Sequence, residues 1–210
     1  MNNLFGFGNE GGSKRDKVDF PVGLAVDKVQ LRNIELNPNI DGVLFNFQRV
    51  EGDTIAFLSD TLLPPKQEWY TEDKTVGDKI VSAEEQYNAQ VRSFIGYVRH
   101  ILTNCGVDDH DLTKIGNHAT LVDYINAMCK VVNPILETTK TLVYLKTVRD
   151  KAGYTKLPRY RGKGMIQNME LGKPNFEYTE YETQLLSEAS KEGVVHDLPA
   201  SASPSNGLDF

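Results

Sequence analysis

Residues 140–163 read Lys-Thr-Leu-Val-Tyr-Leu-Lys-Thr-Val-Arg-Asp-Lys-Ala-Gly-Tyr-Thr-Lys-Leu-Pro-Arg-Tyr-Arg-Gly-Lys. The first half is an apolar, β-prone run of Leu142, Val143, Tyr144, Leu145 and Val148. The second half is a basic loop that carries Tyr154 and Tyr160. A strand that runs out into cations interleaved with aromatic rings suits an extended, unpaired nucleic-acid strand. Cations neutralise its phosphates, and flat rings accept its unpaired bases. Side chains alternate along a strand, so Tyr144 and Lys146 share a face with Leu142 and Val148, while Val143 and Leu145 point the other way. One face has to meet a core, and the Tyr144/Lys146 face is expected to meet solvent. Arg149 and Lys151 carry the charge into the loop. Gly153 turns the chain, and Tyr154, Lys156, Arg159, Tyr160, Arg161 and Lys163 follow.

The net charge of −6 argues against a polyanion partner until it is divided along the chain. Residues 140–174 hold nine basic and two acidic side chains, a local balance of +7. Residues 175–210 hold one basic and seven acidic, a balance of −6. A basic segment followed directly by an acidic one is a pattern to read, although a solvated loop beside an unrelated tail produces it too.

Upstream, residues 20–36 read as a strand whose alternation slips once near Lys28, as a bulge would require. Residues 43–50 alternate, with Val43, Phe45 and Phe47 on one face. Glu51-Gly52-Asp53 is hairpin chemistry. Residues 54–63 form the partner strand, with Ile55 and Phe57 opposite Ala56, Leu58 and Leu62, and Pro64-Pro65 stops it. A polar loop over 66–78 holds Trp69 and Tyr70; Trp69 suits a stacking ring and equally a barrel cap. Residues 79–105 show helical periodicity, with Ser82 and Glu85 as a capping box. A second helix is expected from Leu121 to Val132, ended by Pro134. Downstream, 164–171 suits a last strand and 176–189 is aromatic and acidic, with a short helix from Thr179. The composition after Glu188 reads as a disordered tail, and residues 1–17 as a disordered arm.

The length allows one core, and 40% hydrophobic with 25% charged residues is the balance of a soluble globular chain. No apolar run is long enough to span a bilayer, and the N-terminal residues lack the pattern of a secretory signal. Cys105 and Cys129 are therefore expected to be reduced thiols in a cytoplasm-like compartment. There is no phosphate loop and no nucleophile elbow, so no catalytic residue and no cofactor is assigned. Cys105, His110, His118 and Cys129 match no common zinc spacing and read as structural, so no metal is assigned. Asp108, Asp109 and Asp111 admit a metal-dependent nuclease, with a solvated interhelix loop as the simpler account.

Several motifs resemble phage-encoded single-stranded DNA-binding proteins with an OB-fold. They are Pro21-Val22-Gly23 with Val29-Gln30-Leu31, Leu44-Phe45-Asn46-Phe47 to Glu51-Gly52-Asp53, and Leu145-Lys146-Thr147-Val148 with Lys151-Ala152-Gly153-Tyr154-Thr155-Lys156-Leu157-Pro158. The tip Gly207-Leu208-Asp209-Phe210 is similar to the acidic, Phe-terminated tails through which bacterial single-strand binding proteins recruit partners. The resemblance implies a five-stranded antiparallel OB-type barrel over 18–175. A two-helix insertion at about 79–133, larger than a minimal OB-fold carries, would interrupt it. An acidic tail over 176–210 would follow.

It also implies sequence-independent binding of single-stranded DNA in viral replication or recombination, in the host cytoplasm. Stacking would fall to Tyr144, Tyr154 and Tyr160, with Phe45 or Trp69. Phosphate contact would fall to Lys146, Arg149, Lys151, Lys156, Arg159, Arg161 and Lys163. Partner proteins would meet Leu208, Asp209 and Phe210, and the tail would compete with DNA for residues 140–163. A homo-oligomer is compatible with the sequence. A structural or assembly component of a virion is the alternative function.

Overall fold

The long strand β2 (Gly23–Asn37) organises the barrel because it pairs on both sides. In this computed structural model, which describes residues 16–37, 39–150, 152–159 and 164–191, β2 lies antiparallel to β3 (Gly42–Glu51) and to β7 (Leu142–Arg149). A strand serving two partners has to bend. Its register slips between Gly23 and Val26 and between Val26 and Val29 against β7, and between Leu31 and Asn33 against β3. Lys28 sits between these breaks with φ +54°, a conformation most side chains avoid. This is the slip in alternation legible in the sequence. Such bulges add twist and curl the sheet toward closure.

β3 returns as β4 (Thr54–Leu62) through a tight turn in which Gly52 takes φ +55°. Inside the curl lie Val29, Leu31 and Ile34 of β2, Val43, Phe45 and Phe47 of β3, Ala56 and Leu58 of β4, and Val143 and Leu145 of β7. Two shorter strands complete the sheet against β7. β8 (Thr155–Lys156) pairs with its end, and β9 (Ile166–Asn168) pairs with its first half. The result is a nearly closed, mainly antiparallel barrel. A short segment β1 (Asp16–Val18) lies parallel to the first half of β4, where the sequence reading expected the end of an arm.

Closure on the far side is made by a side chain. Asp60 of β4 is buried, accepts the Leu157 N–H at 2.8 Å and pairs with the Arg159 guanidinium at 3.0 and 3.2 Å. β8 is too short to ladder with β4, so one carboxylate satisfies the backbone there.

The insertion between β4 and β7 differs from a plain helical hairpin. It begins with a ribbon, β5 (Lys74–Val76) and β6 (Lys79–Val81), where helix was expected from residue 79. Ser82 then caps α1 (Ala83–Asn104) with the expected Glu85 capping box. A five-residue helix, α2 (Asp109–Thr113), follows. Next, α3 (Leu121–Thr139) runs straight through Pro134. Proline there removes one backbone bond at a cost of about 3 kcal/mol. The helix continues because Ile125, Met128, Val132 and Leu136 form one buried stripe on the barrel. Asn133 anchors that stripe: its amide accepts the Ile34 N–H and donates to the Ile34 carbonyl, both at 2.9 Å.

The last element is the short helix expected from Thr179, and its docking is what the sequence did not show. Residues 180–191 form α4 (Glu180–Lys191), which buries Leu185 and Leu186 and packs on β7. Thr179 and Glu182 cap it reciprocally, at 2.8 and 3.2 Å. The acidic segment from 176 thus starts as a docked helix. Residues 192–210, including most of the expected tail, lie outside the described residues.

Candidate nucleic-acid interface

The β7–β8 turn is built by Asp150. Its carboxylate accepts the Ala152 and Tyr154 N–H groups at 3.0 and 2.9 Å and the Lys156 ammonium at 3.1 Å. Burial works to raise its pKa. The Tyr154 N–H, Lys156 and the Ala152 N–H outweigh that and hold it below the ordinary carboxylate range. Gly153 takes φ +83°, and its carbonyl receives Arg149 at 2.9 Å. Tyr154 therefore projects from the turn, 68% exposed.

Behind this turn lies a cavity of about 200 Å³ between the β7–β8 segment and α4. Arg149, Lys156 and Arg159 line it together, with Tyr181, Glu182 and Leu185 from the helix. The structure thus brings three of the expected cations to one place and adds Tyr181, 56% exposed, which the sequence reading did not assign. Only the position of Tyr181 on a helix docked over β7 reveals it. Lys156 and Arg159 each keep a carboxylate partner, Asp150 and Asp60, so they present a cleft of moderated charge.

Two expected contacts are corrected. Lys146 does not face solvent: it is 0% exposed, and its ammonium meets Glu182 at 3.0 Å and the Glu177 carbonyl at 2.9 Å. It also lies 6.0 Å from the centre of the Tyr178 ring. The expected solvent face of β7 is the face that α4 covers, so both faces are buried at Leu145–Val148. Burial, with the Glu182 charge nearby, pushes the Tyr178 phenol well above its ordinary pKa. Tyr144 is half-buried on that face, opposite Gln167. Phe45 is the second correction. It is fully buried and packs on Phe47 at 6.4 Å between ring centres, so it cannot receive a base.

The outward ring of the meander is Phe57, 49% exposed, on β4 opposite Gln48. Gln48 in turn accepts a hydrogen bond from Arg32 of β2. The strand alternation had already separated Phe57 from the inward set. Trp69 stands in a short 3-10 turn after β4, exposed, and does not line the cavity. Lys151, Tyr160, Arg161 and Lys163, together with Leu208, Asp209 and Phe210, lie outside the described residues.

The acidic cluster of the insertion serves local structure. Asp108 caps α2 by accepting the His110 N–H at 2.7 Å, Asp109 pairs with Arg99 at 3.4 Å, and Asp111 pairs with Lys114. Burial pushes both thiols up, Cys129 to about 11 with help from the Glu35 charge and Cys105 higher still. Neither is a ready nucleophile at neutral pH. Among the described residues no three His, Cys, Asp or Glu side chains gather into a metal site, and no helix is long and apolar enough to cross a membrane.

No protein-family model, curated protein or solved structure matches the chain.

Proposed function

We propose that the chain binds single-stranded DNA without sequence preference. The observation that carries the reading is the cleft in which Arg149, Lys156, Arg159 and Tyr181 meet beside the exposed Tyr154. Cations beside rings hold phosphates and unpaired bases together, and stacking contributes about 1–3 kcal/mol per base. The strand order supports an OB-type barrel. A three-stranded meander is followed by a helical insertion, a fourth strand paired back to the first, and a short fifth reaching the third. OB barrels bind oligonucleotides across this kind of surface.

On this reading the protein coats exposed strands during viral DNA replication or recombination in the host cytoplasm. It performs no chemical step and uses no cofactor. Its C-terminal residues Leu208, Asp209 and Phe210 recruit replication or recombination proteins. Fluorescence anisotropy with labelled oligo-dT over a salt series tests the core of it. Affinity should fall steeply with salt and exceed that for duplex of equal length. Absence of binding at low salt refutes it.

A second reading is favoured by the β5–β6 ribbon, whose Val76 and Ile80 are exposed. Apolar side chains on a projecting ribbon suit contact with another protein, as in a virion or assembly component. A chain that binds no oligonucleotide yet self-associates through this ribbon in sedimentation would establish that reading instead.

A further inference from the structure

The β5–β6 ribbon is a sheet of its own, separate from the sheet of the barrel. Two strands of three residues are marginal in water unless a third strand or a packed surface supports them. The base of the ribbon is held. Gln86 of α1 donates to the Glu72 carbonyl at 2.9 Å and to the Val81 carbonyl at 3.2 Å, and Asp73 accepts the Ala83 N–H at 3.0 Å. Beyond that base every residue of β5 is exposed, Val76 among them. β6 is the sheltered strand, because Lys79 and Val81 share a cavity with Glu85, Asn88 and Arg92 of α1. The open edge of the ribbon is therefore β5.

The register decides which backbone groups lie on that edge. Val76 pairs with Lys79 across a two-residue turn, and Lys74 pairs with Val81. These two pairs exchange the ribbon's own hydrogen bonds. Thr75 and Ile80 form the pair between them, so their N–H and C=O groups point out of the ribbon, those of Thr75 along the β5 edge. Among the described residues nothing bonds the Thr75 backbone. A donor and an acceptor on one outward residue complement themselves: a second copy turned about a twofold axis at Thr75 exchanges both bonds. We propose that two copies of this chain join β5 to β5, antiparallel, into one four-stranded sheet centred on the two Thr75 residues. This register sets Thr75 against Thr75 and each Lys74 against the second copy's Val76, so no cation faces a cation. Ile80, 68% exposed, lies beside Thr75 on the same face. The two copies together form a row of four β-branched side chains, which suits a pleated surface. The shared area is small, so the association is weak and reversible.

Sedimentation velocity over a concentration series, with amide exchange read by NMR, tests this on the full chain. The chain should pass from monomer to dimer as its concentration rises. Over the same range the Thr75 amide should exchange more slowly, while the Ile80 amide stays fast. Thr75→Pro removes the outward donor and spares the ribbon's own pairs, the kind of edge position that accepts proline. Twofold symmetry deletes two hydrogen bonds at once, so Thr75→Pro should weaken the dimer by about tenfold or more. Thr75→Val keeps the N–H and should dimerise like the parent. A parent chain that stays monomeric at every concentration overturns the proposal. So does protection that grows at Ile80 and not at Thr75, or a Thr75→Pro chain that dimerises undiminished. The pairing holds under either reading of function, and oligo-dT anisotropy on the same samples reports DNA binding separately.

Discussion

Replacing Asp60 by alanine should open the side-chain closure of the barrel. Two contacts are lost at once: the Leu157 N–H at 2.8 Å and the paired guanidinium of Arg159. Leu157 is buried, so its orphaned N–H costs about 1–3 kcal/mol. The Arg159 side chain is 42% exposed, so solvent screening limits that pair to about 0–1 kcal/mol. Asp60→Ala should therefore destabilise by about 1–4 kcal/mol. For a chain of this size that is a fall in Tm of about 2–16 °C. Asp60→Asn keeps an oxygen for the N–H and gives up the ion pair, so it should cost only about 1 kcal/mol. Urea titration with linear extrapolation measures both variants, and amide hydrogen exchange reads Leu157 directly. In Asp60→Ala the Leu157 amide should exchange far faster, while amides in β2 and β3 change only with global stability. Closure by Asp60 is refuted if Asp60→Ala stays within about 0.5 kcal/mol of the parent, the range of a featureless surface change. It is also refuted if Leu157 keeps its full protection.

Four further outcomes follow from the structure. Lys146→Met or Glu182→Leu alone leaves a buried charge without its partner and should cost about 3–5 kcal/mol, whereas the double variant should recover most of it in a urea double-mutant cycle. Phe45→Ala, in the buried core, should cost about 3–5 kcal/mol in urea titration, while Tyr154→Ala, at a 68% exposed turn position, should stay within about 0.5 kcal/mol of the parent and weaken oligo-dT binding in anisotropy. Asp150 has its pKa lowered by folding, so the unfolded chain binds more protons in acid. Its contribution is complete above the ordinary carboxylate pKa of about 4 and is lost as pH falls through the lower folded value. Asp150→Asn should flatten the acid limb of the stability curve, measured by urea midpoints from pH 6 to pH 2. Removing residues 192–210 should leave oligo-dT affinity unchanged or raise it; a large loss would contradict competition between the tail and DNA.

Much of the barrel was legible because strand alternation is a strong signal. The slip near Lys28, the Gly52 turn and the separation of Phe57 from Ala56 and Leu58 all correspond to features of β2, β3 and β4. Alternation names two faces without saying which is inside. It therefore could not choose between Phe45 and Phe57 as the outward ring. Lys146 was misplaced for a related reason. A strand with one polar face implies solvent only when nothing covers that face. The cover, α4, begins 34 residues later, at Glu180, and Glu182, Leu185 and Leu186 mark its buried side, with Tyr178 just ahead of it over Lys146. Pro134 misled because local propensity stops a helix, while the apolar stripe from Ile125 to Leu136 carries α3 through it. The cleft cations were found as a charge pattern; that Arg149, Lys156 and Arg159 share one cavity with Tyr181 is a fact of tertiary packing.

The Asn133 amide bears on edge-to-edge pairing between copies of this chain. β7 pairs with β2 only as far as Gln30, so the rest of β2 presents a bare margin on that side. A bare margin invites a strand from another chain to add on, the first step of edge-to-edge aggregation. Asn133 meets both backbone groups of Ile34 as a passing strand would, and α3 lies along the same margin. A helix thus plays the part of the missing neighbour at Ile34, where an incoming strand finds both backbone groups already taken.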